Sequence, residues 1–105
     1  MAAGFTFNAD AVDIRAWINM DGTGTIAITD DYNVSSITDG ATGDYIINYS
    51  VNMSTTTYCL AAFVGGAALN VIGYNLVGST RIGVRDANTE NWVDNSLVNL
   101  SVIGN

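Results

Sequence analysis

Apolar residues early in the chain recur at every second position, and that period restricts the fold more than any other feature. Val12, Ile14, Ala16, Ile18 and Met20 alternate with Asp13, Arg15, Trp17 and Asn19, the pattern of a strand with one buried face. The even positions are expected to face the core. Asp21-Gly22-Thr23-Gly24 supplies turn residues, glycine permitting positive φ, and Thr25-Ile26-Ala27-Ile28-Thr29 opens a second strand. A β-hairpin is therefore expected. A second hairpin is expected from 34–38 and 45–51, joined through Asp39-Gly40-Ala41-Thr42-Gly43-Asp44, whose glycines fit a short turn with a bulge. Tyr45, Ile47, Tyr49 and Val51 then share one face. Further strands are expected over 58–64, 69–77, 80–85 and 97–103, with residues 1–11 as a short strand or an arm. Seven to eight short strands without a helical period predict one all-β domain over 12–105, an antiparallel sandwich or barrel-like fold.

Two of these strands are apolar at both parities. Cys59, Leu60, Ala61, Ala62 and Phe63 follow one another without alternation, and so do Val71, Ile72, Gly73 and Tyr74. A sheet facing water alternates, so the second face is expected to be covered by a neighbouring subunit. Phe63, Ile72, Tyr74 and Trp17 are the expected interface residues. Composition agrees: 49% of the 105 residues are hydrophobic and 12% charged, against about 25% charged in ordinary domains. The many Asn, Thr and Ser hydrate such a surface without making it repel its own copies.

Charge excludes several partners. Ten acidic residues face three arginines, with no Lys or His, for a net charge of −7. Nucleic acid and anionic membranes both need basic side chains, and no apolar run approaches the ~20 residues of a spanning helix. The N-terminal Met1-Ala2-Ala3-Gly4 has neither the basic nor the apolar part of a secretory signal. Cys59 is the single cysteine, so no internal disulfide forms. Lying inside an expected strand, with no histidine to act as its base, it reads as a buried structural thiol.

No catalytic residue, cofactor or metal ligand is expected. The carboxylate pairs Asp30-Asp31, Asp39 with Asp44, and Glu90 with Asp94 fall in expected turns or strand ends, where acids are ordinary solvated turn residues rather than an acid–base pair. Residues 21–32 fail the calcium-loop pattern, and Gly22-Thr23-Gly24-Thr25 leads into a strand rather than a phosphate-binding helix. Binding is expected instead at the polar loop 86–95. There Trp92 offers a broad apolar face among Asn88, Asn91 and Asp94, which suits a sugar or a partner protein. Trp17 lies two residues from Arg15, close enough for a cation–π pair. The competing expectation is that both rings plug gaps between sheets or subunits.

The run Ala16-Trp17-Ile18-Asn19-Met20-Asp21-Gly22-Thr23-Gly24-Thr25-Ile26-Ala27-Ile28, then Asn33-Val34-Ser35-Ser36-Ile37-Thr38-Asp39 and Thr42-Gly43-Asp44-Tyr45-Ile46-Ile47-Asn48-Tyr49, resembles a module of tail-fibre tips and other virion proteins of tailed bacteriophages. That module is written AWVNFNGTGTVAI and NVSSITDNGTGDYTVNF. The apolar segment 97–103 also resembles the way these modules end. Departures are Met20-Asp21 in place of Phe-Asn, Asp30-Asp31-Tyr32 in place of an Arg-containing stretch, and Gly40-Ala41-Thr42-Gly43 in place of Asn-Gly-Thr-Gly. The resemblance implies a non-enzymatic, homotrimeric structural protein displayed on the virion. Its partners would be other virion proteins and a host surface glycan or protein. Few residues precede Trp17, too few for a fibre shaft, so a capsid decoration protein, cement or head fibre, is the alternative expectation. The residues alone also allow a free-standing carbohydrate-binding module.

Overall fold

The computed structural model describes residues 13–65 and 69–104, so the expectations for 1–11 and for Val12 lie outside the described residues. Eight strands follow in order: β1 (Asp13–Asp21), β2 (Ala27–Tyr32), β3 (Val34–Ala41), β4 (Asp44–Tyr49), β5 (Cys59–Val64), β6 (Leu69–Asn75), β7 (Ser79–Asp86) and β8 (Val98–Gly104). They form two antiparallel four-stranded sheets, the first ordered β2-β1-β8-β5 and the second β3-β4-β7-β6. Among the described residues there is no helix. The fold is a β-sandwich.

Parity decides what lies between the sheets. Ala16, Ile18 and Met20 from β1 meet Val98, Leu100 and Val102 from β8, all buried. Tyr45, Ile47 and Tyr49 from β4 and Ile82 and Val84 from β7 supply the opposite layer. Ile14 departs from the expected inward set and is 58% exposed, because a register shift between Ile14 and Ala16 inserts Arg15 and turns the strand over. Val51 is likewise 70% exposed, since β4 ends at Tyr49 and the alternation with it.

Cys59 is exposed, not buried. Leu60, Ala62 and Val64 pair with the inward Val102, Leu100 and Val98, which leaves Cys59, Ala61 and Phe63 on the outer face. Of the carboxylates expected in turns or strand ends, Asp44 is at a strand end and the pair in β2 is not. Asp30 and Asp31 lie inside β2, opposite Asn19 and Ile18. Asp44 opens β4, and Asp94 accepts two hydrogen bonds from the protein.

Both expected hairpins form, β1 with β2 and β3 with β4, the second with the expected irregularity between Asp39 and Ala41. The chain changes sheets at Asn33, whose φ is 57°, a conformation asparagine tolerates better than most residues. Its side chain donates to Arg15 O and Val51 O and accepts from Val51 N at 2.7 Å. Near the same end, Tyr49, Tyr58 and the buried Thr80 hydrogen-bond one another through their hydroxyls, and Tyr58 donates to Leu76 O at 2.6 Å. These three hydroxyls thus find partners among themselves and the nearby backbone.

Candidate functional site

β7 alternates Thr80, Ile82 and Val84 into the core with Arg81, Gly83 and Arg85 on the outer face of the second sheet. Because Gly83 has no side chain, the sheet is flat there, and the Trp92 ring lies on it. A Cβ at position 83 would overlap the ring edge. The Arg85 guanidinium sits 5.5 Å from the ring centroid, within cation–π range. The expected Arg15–Trp17 pair is not the one that forms: Arg15 Nε donates to Gly104 O at 3.0 Å.

A self-contained turn presents Trp92. Asp86 Oδ1 accepts from Asn88 N and Thr89 N at 2.8 and 3.1 Å, and Glu90 N donates to Asp86 O with Glu90 at φ 61°. Asp86 N then donates to Asn91 O, Trp92 forms a bridge with Arg85, and Val93 N donates to Val84 O at 3.0 Å. Returning along the end of β7, the chain lays the indole on the strand it has just left. The ring is 48% exposed, so it does not plug a gap between the sheets.

Beside the ring lies a cleft of about 560 Å³ lined by Ile72, Tyr74, Gly83, Trp92, Ala41 and Thr42. Its polar groups are Arg81 and Asp44. Arg81 Nε donates to Asp44 Oδ1 at 2.8 Å and Nη2 to Oδ2 at 2.6 Å, a bidentate pair. The hydrogen bonds and charge of Asp44 push the Arg81 pKa further up. Arginine carries five N–H donors, so the pair still offers N–H groups to the cleft. A second cleft of about 640 Å³ lies near Asn33. Its Arg15 and Asn33 side chains are already bonded to backbone carbonyls, which makes it the poorer site despite its size.

The residues expected at a site are therefore divided. Trp92, Ile72 and Tyr74 come together in the cleft. Asn88 and Asn91 belong to the supporting turn, and Asp94 faces a different task. Its Oδ1 accepts from Gly43 N at 2.8 Å and shares the single proton of the Tyr45 hydroxyl with Gly22 O, each acceptor lying 3.1 Å from that oxygen. Burial pushes the Tyr45 pKa up to about 12, opposed by the Asn95 N–H and reinforced by Asp94. Trp17 and Phe63 lie on the outer face of the first sheet, in rows with Ser101 and Asn99. Arg81 and Gly83 carry no site expectation in the sequence, and Asp44 is read there as a solvated carboxylate. The outward period of 81, 83 and 85 was the available signal.

Among the described residues, no group of three or more His, Cys, Asp or Glu is placed to hold a metal ion. No protein-family model, curated protein or solved structure matches the chain.

Proposed function

We propose that this chain is a non-enzymatic structural module of a tailed-bacteriophage virion, a homotrimer displayed on the particle surface that contacts the host through the cleft on its second sheet. The observation that carries this reading is where the module-like blocks fall. They fold as β1 to β4, and their turns meet: Gly22 and Gly43 are both tied to the Tyr45–Asp94 pair. The resemblance therefore lies on the residues that close one end of the sandwich. The absence of histidine, an exposed thiol and carboxylates committed to Arg81, Gly43 and Tyr45 favour a non-catalytic role.

The outer face of the first sheet supports a subunit contact. Trp17, Tyr32, Ala61 and Phe63 occupy adjoining rows there, and Phe63 is 59% exposed in the single chain. Light scattering of the purified protein is expected to report three chains. Antibody labelling of particles in the electron microscope is expected at a tail or fibre tip. Labelling distributed over the head replaces the host-contact role with capsid decoration, and a monomer that labels no particle removes the virion reading.

A further inference from the structure

We propose that the cleft beside Trp92 binds a neutral pyranose, with a C–H face of the sugar on the indole and its hydroxyls on the Arg81–Asp44 pair. The proposal deepens the host-contact reading of the same cleft and rests on it. A cleft of about 560 Å³ is within the range of small-ligand sites, which are mostly apolar with a few placed polar groups. Two aromatic rings are among the apolar lining: Trp92, 48% exposed, is held with an edge of its ring against Gly83, and Tyr74 is 62% exposed. Flat, rigid rings suit the C–H face of a sugar, whose other edge is all hydroxyl.

The polar groups select against charge. Arg81 and Asp44 neutralise each other through two hydrogen bonds, and the second arginine near the ring, Arg85, already stacks on it. An anionic ligand accepting from a remaining Arg81 N–H would sit beside the Asp44 carboxylate and approach a protein of net charge −7. A cationic ligand would meet the Arg81 guanidinium. Neutral hydroxyls face neither repulsion: one can accept from a remaining Arg81 N–H while its neighbour donates to a free lone pair of Asp44.

The test uses the full chain carrying Trp17→Phe, which leaves Trp92 as the only tryptophan. Methyl glycosides of glucose, galactose and mannose, N-acetylglucosamine, sialic acid and inorganic phosphate are titrated against Trp92 fluorescence and by calorimetry. At least one neutral glycoside is expected to shift the emission with a millimolar Kd, while sialic acid and phosphate do not. In the natural-tryptophan background, Trp92→Ala is expected to weaken calorimetric binding ~10-fold or more, and Asp44→Asn to weaken it at least ~5-fold, both with an unchanged circular dichroism spectrum. Tighter binding of the anionic probes, binding that survives Trp92→Ala, or no neutral glycoside binding overturns the proposal. Host adsorption separates it from the broader reading. Loss of adsorption in Trp92→Ala without sugar binding overturns the saccharide and keeps the cleft as the contact. Sugar binding with adsorption unaffected by Trp92→Ala supports the saccharide site and overturns the host-contact reading.

Discussion

Asp94 and Tyr45 show how much one residue pair can hold. Gly22 N donates to Asn95 O, Gly22 O accepts from Tyr45, and Asp94 bonds both Tyr45 and Gly43, so two turns and the returning chain close on one hydroxyl. Asp94→Ala leaves Gly43 N without its side-chain acceptor, while the phenol keeps Gly22 O. Expected is a loss of about 1–3 kcal/mol, the cost of an unpaired buried donor, read as a lower Tm in thermal unfolding. Gly43 has φ 68°, and a Cβ there would lie 2.6 Å from Val93 O and 2.7 Å from Val84 O. Gly43→Ala therefore combines backbone strain with overlap against rigid carbonyls and is expected to destabilise at least as much as Asp94→Ala. The same phenol sets an alkaline limit. Its pKa is raised to about 12 from the ordinary ~10, so the native state keeps a proton that the unfolded chain releases. That contribution to stability is complete below about pH 10 and is lost as pH rises towards 12; burial raises Tyr49 in the same direction. Tm is expected to be insensitive to these two phenols from pH 7 to 10 and to fall beyond it. Tyr45→Phe, though less stable throughout, is expected to fall less steeply.

At the scale of elements, β7 does two jobs through one alternation: Ile82 and Val84 fill the core while Arg81 and Gly83 line the cleft and Arg85 lies over the Trp92 ring. Gly83→Ala tests the coupling, because its Cβ has no room under Trp92. The ring is expected to lift, red-shifting Trp92 emission in the Trp17→Phe background with little change in strand content. Most of this alternation was readable from the sequence. Strand positions followed from the two-residue period and the Gly, Asn and Asp turns, and Trp92 stood out as a large ring in a polar loop. Sheet order was not readable, since β4 pairs with β7 across two intervening strands and brings Asp44 to Arg81 from 37 residues away. The orientation of β5 was hidden for a different reason. With apolar groups at both parities, only pairing with β8 decides that Leu60 turns in and Cys59 out. The hydrogen bonds of Asp94 are not legible in the sequence because its partners, Gly43 and Tyr45, are distant in it.

For the whole molecule, the two apolar outer faces lie on opposite sides of the sandwich, Phe63 and Trp17 on one and Tyr74 and Ile72 on the other. Contacts through opposite faces stack copies into open arrays, whereas a closed trimer needs contacts related by a three-fold rotation. One face must then stay free. The proposed arrangement sets three first sheets around the axis and leaves three clefts outward, each carrying its Arg81–Asp44 pair into solvent. Phe63→Asp separates this from its alternatives. In the single chain the side chain at 63 points outward, so the charge is hydrated and folding is expected to survive. In the trimer three carboxylates would be buried near one another without partners, at several kcal/mol each. Light scattering of Phe63→Asp is expected to report one folded chain instead of three. Cys59, on the same face, gives a second readout: a water-soluble maleimide is expected to label it slowly in the trimer and rapidly in Phe63→Asp. A Phe63→Asp protein that remains trimeric moves the subunit contact off the first sheet. If Tyr74→Asp then dissociates it, the cleft itself is the subunit interface, and the contact with the host must be made elsewhere.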